Sequence, residues 1–190
     1  MSQAANGPKT LFNTLLTDIS NEDLEGVGTI RQEGDKFYRW VKNNSGQALV
    51  VGQSVCYDID GAEAYHEIVY TPASADLHAL AGIAISAIAD YTGVDTIKCY
   101  GWIQIEGYNA AIQVLQSSDT AHVVGDLYLA VNAKSYASRY GALSAGLTYA
   151  SNATAHAPLL GYMVAAAVVA TVGTHSFTSN TAGWIHCLNV

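Results

Sequence analysis

Three glycine-punctuated segments of this chain occur twice in the same order, a pattern that points to a duplicated β-unit. Val50-Val51-Gly52, Leu80-Ala81-Gly82 and Gly101-Trp102-Ile103-Gln104-Ile105 return as Val123-Val124-Gly125, Leu159-Leu160-Gly161 and Gly183-Trp184-Ile185-His186-Cys187. From glycine to glycine the spacings are 30 and 19 residues in the first pass and 36 and 22 in the second. Short apolar or alternating runs closed by glycine read as strands and tight bends, and a single duplication is not a solenoid. Trp102 and Trp184 are expected at related, largely buried places in the two halves, 50–105 and 123–188. No catalytic residue recurs with the pattern, so it speaks for an architecture and an assembly role.

The remaining apolar runs complete an all-β reading. Strands are expected over 37–41, 49–57, 65–70, 77–88, 96–106, 110–115, 127–131, 159–172 and 183–188, with Asn43-Asn44-Ser45-Gly46 as a turn between the first two. That number of strands suits a β-barrel or tulip-like body, or a sandwich. The Ala-rich run 77–89 also fits a helix, but Gly82 interrupts it and Ile83, Ile85 and Ile88 mostly alternate with small residues, which favours a strand.

Residues 1–35 read differently from the body, 36–190. An apolar cluster, Leu11, Phe12, Leu15, Leu16 and Ile19, precedes Ser20-Asn21-Glu22-Asp23, which resembles a capping box and permits a short helix. Pro8, Gly26, Gly28 and Gly34 confine it, so an extended N-terminal arm with a sticky patch is expected, able to order on a neighbouring subunit. The same pattern suits a terminal segment folded back on its own domain.

Charge narrows the partners. Residues 1–47 hold Lys9, Arg31, Lys36, Arg39 and Lys42 against six acids, and residues 48–190 hold Lys98, Lys134 and Arg139 against ten, so the net charge of -8 divides into -1 and -7. An acidic body without a basic stripe repels phosphates, which argues against nucleic acid as a partner. From Tyr140 to Val190 there is no Asp, Glu, Lys or Arg. A solvated surface carries charges every few residues, so this stretch is expected in a core or against another subunit. Insertion in a membrane is the rival reading, but the longest apolar run, 157–173, is broken by Pro158, Gly161 and Thr171 and suits a buried strand better. No signal peptide is evident. The 12 tyrosines, against 3 phenylalanines and 3 tryptophans, suit surfaces that are buried in contacts yet still form hydrogen bonds, or half-buried strand positions.

Candidate chemistry is sparse. Cys56, Cys99 and Cys187 show no CxxC spacing and read as reduced, packed thiols of a protein made in the cytosol. Asp58-Ile59-Asp60-Gly61-Ala62-Glu63 loosely resembles a calcium loop, yet Val69 stands where the twelfth-position glutamate belongs, and a hairpin turn at Asp60-Gly61 is the better reading. Ser144 in Ala142-Leu143-Ser144-Ala145-Gly146 mimics a nucleophile elbow, but no acid follows Asp126 to serve it. His66, His78, His122, His156, His175 and His186 are scattered without zinc spacing, and no phosphate-binding glycine loop is present. No enzyme, metal or cofactor is therefore expected.

Leu80-Ala81-Gly82-Ile83-Ala84-Ile85, Gly101-Trp102-Ile103-Gln104-Ile105-Glu106-Gly107 and Val124-Gly125-Asp126-Leu127-Tyr128-Leu129 resemble the capsid decoration, or cement, proteins of tailed-bacteriophage heads. The resemblance covers roughly residues 45–190. It implies a compact β-barrel or tulip-like body, often trimeric, that sits on the outer face of the virion and bridges neighbouring subunits of the major capsid protein. Phe12, Leu15, Leu16, Arg31, Arg39 and Trp40 are the contacts expected of the arm. Two other classes remain. One is a head-fibre or tail protein that binds a receptor or carbohydrate through exposed tyrosines and Trp102. The other is a small hydrolase, for which no convincing set of polar groups is present.

Overall fold

A computed structural model describes residues 11–57, 67–69, 80–114, 127–130, 137–139, 159–163 and 179–187. Among them lie eleven strands and no helix, so the described protein is all-β. The strands are β1 (Ile19–Ser20), β2 (Ile30–Glu33), β3 (Lys36–Asn43), β4 (Ser54–Tyr57), β5 (Glu67–Val69), β6 (Leu80–Ala84), β7 (Tyr100–Val114), β8 (Leu127–Ala130), β9 (Ala137–Arg139), β10 (Leu159–Met163) and β11 (Ser179–His186).

The 15-residue β7 is the hub. Its first half pairs antiparallel with β3, placing Trp40 opposite Trp102, and with β6, placing Ile83 opposite Gln104. Its second half pairs antiparallel with β11, placing Tyr108 opposite Trp184. Around the first half, β5 runs parallel to β3 and antiparallel to β4, and β4 is antiparallel to β6. Around the second half, β9 runs parallel to β7 and antiparallel to β8, β8 is antiparallel to β10, and β10 to β11.

Gly107 marks the change of partner along β7. Its φ is +96°, and a Cβ there would lie 2.6 Å from the Asp35 carbonyl oxygen. Only glycine tolerates both the conformation and the approach. Sequence reasoning divides this region into two strands, over 96–106 and 110–115. The chain instead continues through Gly107 as one strand, and its ladder with β11 shifts register between Asn109 and Ile112, as irregularities in a strand commonly allow.

The period of two along β3 builds two separate apolar layers. Phe37 and Val41 contribute to a core with Val55, Ala84, Ile88 and Ile103, whereas Tyr38 and Trp40 form a second cluster with Trp102. Turn chemistry closes the loop after β3. The fully buried Asn43 donates through Nδ2 to the carbonyls of Gln47 (2.8 Å) and Ile88 (3.0 Å), and its Oδ1 accepts from Ser45 Oγ (2.6 Å).

Several expectations need correction in detail. The helix permitted near the N-terminus is absent: Ser20 Oγ does accept the Glu22 amide, at 3.0 Å, but Asp23 then accepts the amides of Gly26 and Val27 in a turn, and Gly26 and Gly28 take positive φ. A strand over 49–57 starts only at Ser54, because Val50 to Gln53 form a turn. The run 77–88 is a strand only at β6, and 159–172 only at β10 within the described residues.

Candidate functional site

Residues 11–29 lie across the Trp40/Trp102 pair, and their burial alternates. Phe12, Thr14 and Leu16 face inward, while Leu11, Asn13 and Leu15 face solvent. Phe12 packs edge-on against Trp102 with ring centroids 5.6 Å apart, and Trp40 meets Trp102 at 5.3 Å and an interplanar angle of 64°. Leu16 and Val27 pack against the same cluster.

Hydrogen bonds fix this clasp in place. Thr14 Oγ1 accepts from Trp102 Nε1 (2.9 Å) and donates to the buried Glu25 Oε1 (2.8 Å). The same carboxylate oxygen accepts the amides of Asn13 and Thr14, each at 2.7 Å. Trp40 Nε1 donates to Asp23 Oδ1 (2.9 Å). Arg31 Nη1 donates to the Thr14 carbonyl (2.7 Å), its guanidinium sits 4.9 Å from the centre of the Phe12 ring, and it is ion-paired with Glu33. Each indole N–H, costly to bury unpaired, thus meets a side chain from the segment that covers its ring.

The six residues expected to contact a partner are therefore divided. Phe12, Leu16 and Arg31 work inside the chain, and Trp40 is fully buried. Arg39 donates to the Tyr57 hydroxyl at 2.7 Å. Leu15 is 66% exposed and Leu11 82%. The Leu15 amide is held by Asp18 Oδ2 at 2.8 Å. Sequence reasoning assigns Thr14 and Glu25 no role, and Asp23, expected in a capping box, accepts from the Trp40 indole instead. No local pattern marked Thr14 or Glu25, because the chain bends at 13–14 and turns at 16–17 and their bonding partners are distant in sequence.

Tyr108 and Trp184 form the corresponding cross-strand pair on the second half of β7, under different cover. Tyr108 is 37% exposed and Trp184 partly buried, whereas Trp102 is fully buried. Burial of Trp102 also removes it as a carbohydrate platform. Lys36 Nζ lies 5.6 Å from the centre of the Tyr108 ring.

A third feature is the turn before β4. Val50 and Val51 are 44% and 43% exposed, yet their backbone is tightly held. The Val50 amide donates to Gln53 Oε1 (2.8 Å), and the Val51 carbonyl accepts from Gln113 Nε2 (3.0 Å). Gly52 has φ +89°, and a Cβ there would fall 2.1 Å from the Ala111 carbonyl oxygen, so the turn lies directly on β7.

Cys56, Cys99 and Cys187 are buried free thiols. Burial pushes the Cys187 and Cys99 thiols up, away from the depressed range of reactive cysteines. Burial likewise raises the Tyr57 phenol, against the opposing pull of Arg39. Among the described residues no group of three or more His, Cys, Asp or Glu side chains is placed to hold a metal ion, and no helix is long and apolar enough to cross a membrane. The sequence 58–63, Ser144 and every histidine except His186 lie outside the described residues. No family model, curated protein or solved structure matches the chain.

Proposed function

We propose that this protein is a virion structural protein that docks on the outer surface of an assembled capsid and stabilises it by bridging neighbouring subunits of the major capsid protein. It is made in the host cytoplasm, assembles as a homotrimer, and acts by contact alone, without turnover of a substrate. The observation that carries the reading is the Val50-Val51 turn: two exposed apolar side chains on a backbone already fixed by Gln53, Gln113 and Gly52. A preordered apolar tip loses little conformational entropy on docking.

Bridging needs a second contact, and the sequence repeats the Val-Val-Gly motif outside the described residues. Val123-Val124-Gly125 stands just before β8 as Val50-Val51-Gly52 stands just before β4. Strand pairing supports the same two-unit, barrel-type reading. The circuit β3, β5, β4, β6, β7 returns to β3, and β7, β9, β8, β10, β11 returns to β7 with the same order and the same one parallel pair. Two linked contacts bind a lattice far more tightly than either alone, and binding confined to the assembled shell stabilises it by mass action.

Co-sedimentation with undecorated heads of the virus that encodes the chain tests this reading. The wild-type protein is expected to pellet saturably, and Val51→Asp to weaken attachment at least about tenfold, a loss of about 1.4 kcal/mol. Failure of the wild-type protein to pellet overturns the reading. Binding to a glycan array instead would assign the protein to the receptor-binding class.

A further inference from the structure

Among the exposed apolar side chains of the described residues are two groups besides the Val50-Val51 turn. One is the outer face of the clasp, Leu11 and Leu15. The other is Tyr108, 37% exposed, with the partly buried Trp184 opposite it across the ladder. The clasp is anchored at the first half of β7, where Ile19 pairs with Gly101 and Thr14 bonds Trp102, and Tyr108 lies six residues further along the strand. At about 3.3 Å per residue Tyr108 stands roughly 20 Å along the strand from Trp102, the ring that the clasp covers.

We propose that a second copy of this chain covers the Tyr108/Trp184 pair, inserting Leu11 and Leu15 of its clasp, and that this head-to-tail contact closes into the homo-oligomer. The inference deepens the trimer in the reading above and rests on that part of it. The first aromatic pair displays the kind of cover that such a pair takes: Phe12 and Leu16, carried on this same segment. The opposite face of the segment offers leucines on a backbone already held by Asp18 and Glu25. Asp18 holds the Leu15 amide and Lys36 lies over the Tyr108 ring, so the two surfaces carry opposite charges. β11, the strand that carries Trp184, contains no Asp, Glu, Lys or Arg and so presents no like charge to an approaching copy. Because the two patches differ, the contact is heterologous, and a heterologous contact that closes forms a ring.

Complementation between two broken faces tests it. Leu15→Glu disables the clasp side and Tyr108→Lys the pair side, and sedimentation equilibrium is measured on the full chain, with far-ultraviolet circular dichroism to show that each variant is folded. Wild type is expected as a closed oligomer and each variant alone as a monomer. An equimolar mixture is expected to form a heterodimer, because one intact clasp still meets one intact pair. Leu11→Glu, at the more exposed leucine, replaces Leu15→Glu if that variant misfolds. A monomeric wild type, variants that associate like wild type, or a mixture that stays monomeric each overturns the contact. No capsid is present in the assay, so its failure leaves capsid attachment to be decided by co-sedimentation.

Discussion

Trp102 and Trp184 stand in nearly the same local sequence, Gly-Trp-Ile, on neighbouring antiparallel strands, and each faces an aromatic partner across a ladder. Their environments nevertheless differ. Trp102 is sealed beneath the clasp, with its indole N–H bonded to Thr14, whereas Trp184 is half-buried beside the exposed Tyr108. A strand pair supplies two faces, and which one becomes core depends on what the rest of the chain lays over it.

The largest expected effect is on that contrast itself. Trp102→Ala empties a fully buried site and is expected to cost about 3–5 kcal/mol, read from urea unfolding, whereas Trp184→Ala is expected to cost about half as much or less. Equal losses would break the comparison and indicate that Trp184 is as tightly packed as Trp102.

Glu25→Ala sharpens it from the side of the clasp. The substitution leaves the amides of Asn13 and Thr14 and the Thr14 hydroxyl without their carboxylate, and is expected to cost about 2–3 kcal/mol. Hydrogen exchange is expected to quicken at residues 13–14 and to remain unchanged along β11. Uniform quickening across the sheet would show that the clasp and the body unfold as one unit.

Alkaline pH probes the neighbourhood of Trp184 through Cys187. Burial lifts this thiol above its ordinary value of 9.0, so the unfolded chain releases its proton first. Stability is therefore full below about pH 9 and falls as pH rises, by up to about 1.4 kcal/mol for each further unit of pH. The raised Tyr57 phenol adds a loss of the same sign above its ordinary value of 10.0. Cys187→Ser is expected to flatten the lower part of that decline, and an unchanged pH profile would remove the thiol as its cause.

The smallest effect is expected at Tyr108. Tyr108→Ala removes a partly exposed ring and is expected to shift monomer stability by only about 0.5 kcal/mol. A much larger loss would show that the second pair already belongs to the core of the single chain.

Much of the strand pattern was legible. The alternation over 37–41 lies within β3, the apolar run before and after Gly82 is β6, and the hydrogen-bonding cluster 43–46 is a turn. The segment 11–29 misled because its leucines were read by composition as a sticky patch, although they point in two directions. Leu16 is packed in the aromatic cluster and Leu15 is in solvent. Thr14 and Glu25 carried no local mark, since their importance lies in bonds between residues 11 and 88 positions apart.

The sequence alone determined the period of two, the glycines at which bends occur, and the all-β character, because these follow from backbone sterics and from the alternation of apolar side chains along a few residues. Tertiary structure decided which of two similar aromatic pairs is sealed, that Val50 and Val51 form an exposed tip, and that the N-terminal segment is a clasp locked to the body. Those outcomes depend on burying indole rings and satisfying their N–H groups, along with the Glu25 carboxylate, across long separations in sequence. No local pattern records which distant partner meets that requirement.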